Sequence, residues 1–136
     1  YGQSKTAASL LAIEVDKRMK NSGIRAFSVH PGGIITPLQR HLEQEEMVAL
    51  GWMDKEGQPT ELVAKMFKTT TQGASTSLWA ATSPQLDDIG GVYCENCEVA
   101  APTDDGENAR FIGVNDWAVD SEEASRLWDE TERMLS

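Results

Sequence analysis

The sequence predicts an α/β protein built on a parallel sheet, and three neighbouring features carry that prediction. A helical pattern runs over residues 1–20, and residues 21–23, which end in Gly23, form a good helix stop. Residues 24–30 are short, apolar and partly β-branched, and they fit a buried strand that ends at Pro31. A helix, a tight glycine turn and a strand form half of a βαβ unit, which favours a parallel sheet. The apolar face of the helix is predicted to consist of Ala8, Leu11, Ala12, Val15 and Met19, with a solvated end at Asp16, Lys17, Arg18 and Lys20.

The rest of the chain alternates helical segments with one more predicted strand. Helical stretches are expected at about 39–50 and 60–68, and Thr69 and Gln72 have the spacing of a capping box before a helix that Pro84 ends. Residues 90–94 are predicted as a final strand and residues 101–110 as an acidic loop. A last amphipathic helix is predicted over 121–135, with Ala124, Leu127, Trp128, Thr131 and Leu135 on one face.

Charge and hydropathy exclude several classes of partner. The chain has 136 residues, with 12 basic and 22 acidic side chains and a net charge of −10. A surface of that sign repels phosphate backbones and anionic lipid, so we expect neither nucleic acid nor a membrane as partner. No apolar run approaches the roughly 20 residues of a membrane span. No basic-then-apolar leader opens the chain, so a cytoplasmic location is predicted.

The two cysteines and two histidines do not predict a metal site. Cys94 and Cys97 have the spacing of a metal knuckle, but there is no second cysteine pair, and His30 and His41 have no matching ligand spacing. A redox pair is disfavoured because the acidic neighbour Glu95 opposes thiolate formation. We therefore predict two reduced thiols at a strand end and no bound metal.

Tyr1 and Lys5 are the residues whose side chains are best suited to catalysis. They stand four apart on a predicted helix, so their side chains share a face. A free phenol titrates near pH ~10, too high for ready proton exchange at neutral pH. A neighbouring ammonium stabilises the phenolate and makes such exchange easier. Tyrosine can then give a proton to a carbonyl oxygen as hydride reaches its carbon, although most tyrosine–lysine pairs at this spacing only decorate a helix surface.

An ordered series of motifs resembles the short-chain dehydrogenase/reductase family. Residues 1–5, Tyr-Gly-Gln-Ser-Lys, resemble the active-site segment of that family, and residues 31–36, Pro-Gly-Gly-Ile-Ile-Thr, follow the next strand at a matching interval. Residues 69–74, 78–84 and 91–93 look like its retinol-dehydrogenase-like branch. The resemblance implies an NAD(P)-dependent oxidoreductase that interconverts an alcohol and a carbonyl. It also implies that residues 1–136 form the C-terminal half of a single Rossmann-type domain, a three-layer, doubly wound parallel sheet.

The same resemblance assigns roles to individual residues. Tyr1 would be the general acid/base, and Lys5 would assist it and hold the ribose hydroxyls of NAD or NADP. The backbone of Ile34 would bind the nicotinamide carboxamide, and Thr36 would offer its hydroxyl to the carboxamide or the pyrophosphate. Residues 37–67 would cover the substrate. The remaining expected contacts are the passage of Pro31, Gly32 and Gly33 close to the nicotinamide ring and a substrate lining of Leu38, Trp52 and Met53.

The resemblance also implies what this chain lacks. The family's glycine-rich phosphate loop, its residue selecting NAD or NADP, and its catalytic serine and relay asparagine belong to an N-terminal nucleotide-binding half that precedes Tyr1. Because a helical pattern is already present at residue 1, we expect further sequence before it. We expect a homo-oligomer joined through the helices from Tyr1 to Met19 and from Gly73 to Thr82. The alternative is a non-catalytic fragment that persists only as an assembly with another chain.

Overall fold

A computed structural model describes residues 1–103 and 112–136 of the chain. They form two compact units, the first comprising Tyr1–His30 with Thr76–Ser136 and the second comprising Pro31–Ser75. Most of the predicted acidic loop, from 104 to 110, lies outside the described residues. In chain order the helices and strands are α1 (Gly2–Met19), β1 (Phe27–His30), α2 (Gln44–Ala49), α3 (Glu61–Met66), α4 (Thr70–Thr82), β2 (Val92–Glu95), β3 (Glu98–Val99) and α5 (Ser121–Leu135).

The first unit contains a small mixed sheet with a parallel pair. β1 and β2 run parallel, with Phe27 opposite Val92 and His30 opposite Glu95, so the predicted α/β class with parallel pairing is confirmed. β1 is shorter than the predicted strand and is half-buried rather than buried. The core on one face of the sheet consists of Ala80, Leu86 and Cys94, with Phe27, Val29, Trp79 and Val92 packed against it.

The prediction that the strand near residues 90–94 is the last one was wrong. β2 turns back through Asn96 and Cys97 into β3, which pairs antiparallel to it. Both turn residues have positive φ, 50° and 59°, the conformation of the tight hairpin turn that matches strand twist. β3 is missing from the sequence prediction because it is only two residues long and the turn lacks the usual glycine.

The predicted apolar face of α1 is not its buried face. Leu11 is 49% exposed and Met19 is 39% exposed, whereas Leu10 and Glu14 are buried. Asp16, predicted at the solvated end, is buried as well, because its carboxylate accepts hydrogen bonds from Arg25 Nε at 2.8 Å and from the Ala26 amide at 3.1 Å. Partnered carboxylates, rather than an apolar stripe alone, therefore fill this side of the helix.

Helix α5 has the predicted bounds and packs against α1. Asp120 caps its N-terminus by accepting hydrogen bonds from the amides of Glu122 and Glu123. Ala124 is buried, but Leu135 is 83% exposed, so the predicted face is covered only in its N-terminal part. Thr131 is likewise exposed.

A buried carboxylate joins α1 to α5. Glu14 accepts hydrogen bonds from Arg18 Nε at 2.8 Å, Ser125 Oγ at 3.0 Å and Lys17 Nζ at 3.3 Å. The Arg18 guanidinium also stacks over the Trp128 ring, 4.7 Å from its centroid. These contacts fix the position of α5 along α1.

The second unit contains α2, α3 and the start of α4. The predicted capping box is present, because Thr69 N donates to Gln72 Oε1 at 2.9 Å and Gln72 N donates to Thr69 Oγ1 at 3.2 Å. Gly73, at the first turn of α4, leaves room for Ile34, whose Cδ1 would overlap a Cβ at this position. Among the described residues, no helix is both long and apolar enough to cross a membrane.

Candidate functional site

Tyr1 and Lys5 stand together at the N-terminus of α1. The Lys5 amide donates to the Tyr1 carbonyl at 3.1 Å, which closes the first helical turn. The ammonium of Lys5 lies 5.2 Å from the centroid of the Tyr1 ring, within the range of a cation–π contact. Tyr1 is 90% exposed, so its hydroxyl is accessible to a ligand. The structure thus brings the tyrosine–lysine pair together as its spacing predicted.

The pair lies toward the carboxyl ends of the parallel strands. Asp16, in the last turns of α1, binds the chain just before β1, and the Gly91 position just before β2 lies close to Ile13. The C-terminal half of α1 therefore packs at the amino ends of the strands, which leaves Tyr1 toward the opposite edge. In open α/β sheets, ligands bind outside the carboxyl ends of the strands.

Three further side chains meet at that edge. His30 and Tyr93 stack with ring centroids 6.4 Å apart, and His30 Nδ1 lies 3.8 Å from Glu95 Oε2. Burial raises the pKa of the Tyr93 phenol, and the nearby Glu95 and Tyr1 raise it further. Tyr93 and Tyr1 are therefore within electrostatic reach of each other. The sequence analysis did not identify this group; the signal for it was the alternation that puts Tyr93 and Glu95 on the face opposite Cys94.

The two glycines after Pro31 have contacts of their own within the second unit. Gly32 has φ of 92°, and a Cβ there would come within 2.9 Å of the Lys68 side chain. A Cβ on Gly33 would come within 2.8 Å of the Phe67 ring, and its carbonyl accepts the Lys68 amide at 2.8 Å. The positive φ of Gly32 and the Phe67 ring beside Gly33 therefore favour glycine at both positions.

Ile34 and Thr36 are tied to a short 3-10 helix, Pro37–His41. The Ile34 carbonyl accepts from Gln39 Nε2 at 3.0 Å. The Thr36 hydroxyl donates to Gln39 Oε1 at 3.1 Å and accepts from the Leu38 amide at 3.2 Å. A cofactor contact by the Thr36 hydroxyl would therefore compete with its capping role.

The residues predicted to line the substrate lie in the same unit but differ in exposure. Leu38 is 68% exposed. Trp52 makes an edge contact with the Phe67 ring, with ring centroids 5.6 Å apart. Met53 forms an isolated antiparallel β-bridge with Pro59. Of the three, Leu38 is the most accessible to a ligand, whereas Trp52 and Met53 contribute to the packing of the unit.

The cysteines are two free thiols in different surroundings. Cys94 is fully buried in the core, and burial raises the pKa of its thiol. Cys97 is exposed in the hairpin turn. The two cysteines are not joined in a disulfide, and only Cys94 is part of a strand, so the reduced state of both thiols stays a prediction.

Comparisons with known proteins agree with the motif series. No family model matches the chain. It is 36% identical over 136 residues, all of its length, to "Short-chain dehydrogenase/reductase prx1" of Penicillium roqueforti, covering 38% of that protein. It is 41% identical over 129 residues to a "Probable oxidoreductase" of Streptomyces lividans, covering 95% of this chain and 42% of that protein. It is 30% identical over 129 residues to "Retinol dehydrogenase 12" of Mus musculus, covering 95% of this chain and 34% of that protein.

These relatives are named as oxidoreductases, the class of protein that the resemblance of the motif series implied. The resemblance of this chain to the short-chain dehydrogenase/reductase family, the retinol dehydrogenases included, is confirmed. The chain spans between 34% and 42% of the length of these curated relatives.

Proposed function

We propose that this protein is an NAD(P)-dependent oxidoreductase that interconverts an alcohol and a carbonyl by hydride transfer. In this proposal the chain is the C-terminal half of one Rossmann-type, three-layer domain, and a nucleotide-binding half corresponds to the remaining length of its relatives. The observation that carries the proposal is the Tyr1–Lys5 pair, with 5.2 Å between ammonium and ring centroid, beside the carboxyl edge of parallel strands. The protein would work in the cytoplasm on a small molecule.

Tyr1 and Lys5 divide the proton chemistry between them. The Tyr1 hydroxyl would donate a proton to a carbonyl oxygen, or accept one back from an alcohol. The Lys5 ammonium stabilises the phenolate that forms, and its N–H groups can donate to ribose hydroxyls. The bound nicotinamide supplies or accepts the hydride.

The proposal also assigns cofactor contacts to individual residues. Lys5 would bind the ribose of NAD or NADP, and Ile34 would bind the carboxamide through its backbone. Thr36 would contact the carboxamide or the pyrophosphate, and the glycine segment, which consists of Pro31, Gly32 and Gly33, would pass close to the ring. Residues 37–67 would cover the substrate, with Leu38 as the best-placed lining residue because of its exposure.

A homo-oligomer is part of the same proposal. α1 exposes Leu11 and Met19, and the C-terminal part of α4 exposes Leu78, at 65%. Such apolar side chains on two helices suit burial between subunits. Sedimentation velocity at micromolar concentration tests this: Leu11→Glu should convert an oligomer into a monomer, and a wild-type monomer would contradict the proposal.

The central experiment compares the two tyrosines of the chain in the full-length protein. Tyr1→Phe keeps the ring and removes the transferable proton, so carbonyl reduction should fall by about 10²–10⁴-fold with little change in nucleotide binding. Tyr93→Phe is the matched control, since it also removes only a hydroxyl, from a tyrosine that is half-buried and stacked on His30. Wild-type turnover in Tyr1→Phe would remove Tyr1 from the mechanism. Absence of any nicotinamide-dependent turnover in the wild-type protein would instead favour the non-catalytic alternative.

A further inference from the structure

Glu95 is a buried carboxylate that the proposed reaction does not use directly. It is the last residue of β2 and is 4% exposed. Removing a carboxylate from water costs several kcal/mol unless partners compensate. Two partners lie at its two oxygens: the Gly113 amide donates to Oε1 at 2.6 Å, and His30 Nδ1 lies 3.8 Å from Oε2.

These two contacts tie together segments that are distant in sequence. His30 ends β1 and leads directly into Pro31, the first residue of the glycine segment. Gly113 has φ of 87°, and a Cβ there would come within 3.0 Å of the Ala101 carbonyl, so this position is held closely against the chain that follows β3. Glu95 therefore connects the end of β1 to the segment before α5.

We propose that Glu95 is a positioning residue: its carboxylate orients His30 and thereby fixes the point at which the chain leaves β1 for the glycine segment. This inference rests on the proposed function, in which the glycine segment passes the nicotinamide ring. His30 is fixed from two sides, by the Glu95 carboxylate and by the stacked Tyr93 ring. At 3.8 Å the His30–Glu95 contact is longer than a hydrogen bond, so it depends on the charge of the carboxylate.

The substitution Glu95→Gln separates the two contacts. A glutamine oxygen can still accept the Gly113 amide, whereas the charge next to His30 is lost. Glu98→Gln is the matched control, because Glu98 is the exposed β3 residue directly opposite Glu95. In the full-length protein, Glu95→Gln should raise KM for the nicotinamide nucleotide about 3- to 10-fold, the range for losing one polar contact, with kcat within about twofold. Glu98→Gln should leave both constants unchanged.

Spectroscopy tests the positioning without relying on activity. In NMR spectra the imidazole signals of His30 should move in Glu95→Gln, while those of His41, the only other histidine, stay in place. The Gly113 amide should keep its protection from hydrogen exchange, which shows that the fold is retained. If Glu95→Gln fails to fold, His30→Gln replaces it and should give the same rise in KM.

The outcomes separate this inference from the proposed function. Unmoved His30 signals, or a KM that rises equally in Glu98→Gln, would overturn the positioning role. A protein without nicotinamide-dependent turnover would refute the proposed function, and the inference that rests on it, even if the His30 signals move. Moved His30 signals in an active enzyme whose KM is unchanged would also overturn the proposal.

Discussion

Removing the charge of Glu14 should loosen α5 from α1. Glu14 is 2% exposed and accepts hydrogen bonds from Arg18, Ser125 and Lys17 at 2.8, 3.0 and 3.3 Å. A hydrogen bond to a charged group contributes about 1.5–3 kcal/mol to stability. The simple sum over three such bonds overstates the cost of the substitution, because the donors can bind water instead. Lys17 and Arg18 regain water when the carboxylate is gone, because their side chains are 56% and 39% exposed. We therefore expect Glu14→Gln to cost about 2 kcal/mol.

Hydrogen exchange of the α5 amides is the suitable assay, since it reports local opening of that helix. A cost of about 2 kcal/mol corresponds to exchange that is about 30-fold faster. The matched control is Glu61→Gln, which removes an ion pair of the same 3.3 Å separation whose glutamate is 91% exposed. An exposed pair contributes about 0–1 kcal/mol, so exchange should hardly change. Equal effects of the two substitutions, or unchanged exchange in α5, would refute the reasoning.

The same carboxylate makes the α1–α5 contact sensitive to acid. Burial alone would raise the pKa of Glu14, but the hydrogen bonds from Arg18, Ser125 and Lys17 outweigh it and lower the pKa below its ordinary value. A lowered folded-state pKa stabilises the contact fully above the ordinary pKa, ~4.3 for glutamate, and this contribution is lost as pH falls through the folded value. Glu14→Gln lacks this pH-dependent contribution. Its stability should therefore fall less steeply with decreasing pH than that of the wild type, as measured by acid unfolding followed by tryptophan fluorescence. An identical acid transition in both proteins would contradict it.

Two further predictions concern packing and the thiols. Gly73→Ala should destabilise the protein by about 1–2 kcal/mol, because the overlap with Ile34 outweighs the gain in helix propensity. Gly2→Ala is the control, because no atom lies within 4 Å of a Cβ at that position, and it should not destabilise the protein. Thermal melts compare the two variants, and a stabilised Gly73→Ala would contradict the prediction. Of the two thiols, Cys97 should react quickly with a disulfide reagent and Cys94 only on unfolding, and rapid reaction of both would show that the core opens readily.

Local signals in the sequence predicted the elements that depend on neighbouring residues. The bounds of α5 and the capping box of Thr69 and Gln72 follow from contacts within three or four positions. Gly23, with φ of 76°, ends the first helical segment as predicted. The Tyr1–Lys5 pair belongs to the same category, since helix geometry alone places the two side chains on one face.

Features that depend on distant partners could not be predicted in this way. The buried face of α1 was misassigned because Glu14 is partnered by Ser125, which is 111 positions away. The polar group at the sheet edge depends on the parallel register that puts His30 opposite Glu95. Neither partnership leaves a periodic trace in the sequence, so the sequence pattern alone does not predict that Glu14 and Glu95 are buried.

The Glu14 network also limits how the α1–α5 pair could be redesigned. Replacing a buried ionic group by well-packed apolar side chains is often neutral or stabilising. Leucines at Glu14 and Ser125 would supply such packing, but apolar surfaces slide and rotate against each other with little change in energy. A carboxylate that accepts from Arg18, Lys17 and Ser125 permits one axial position of α5. We expect an all-apolar version to be equally or more stable but to lose its unique helix register, so that successive turns of α5 compete for the same site on α1.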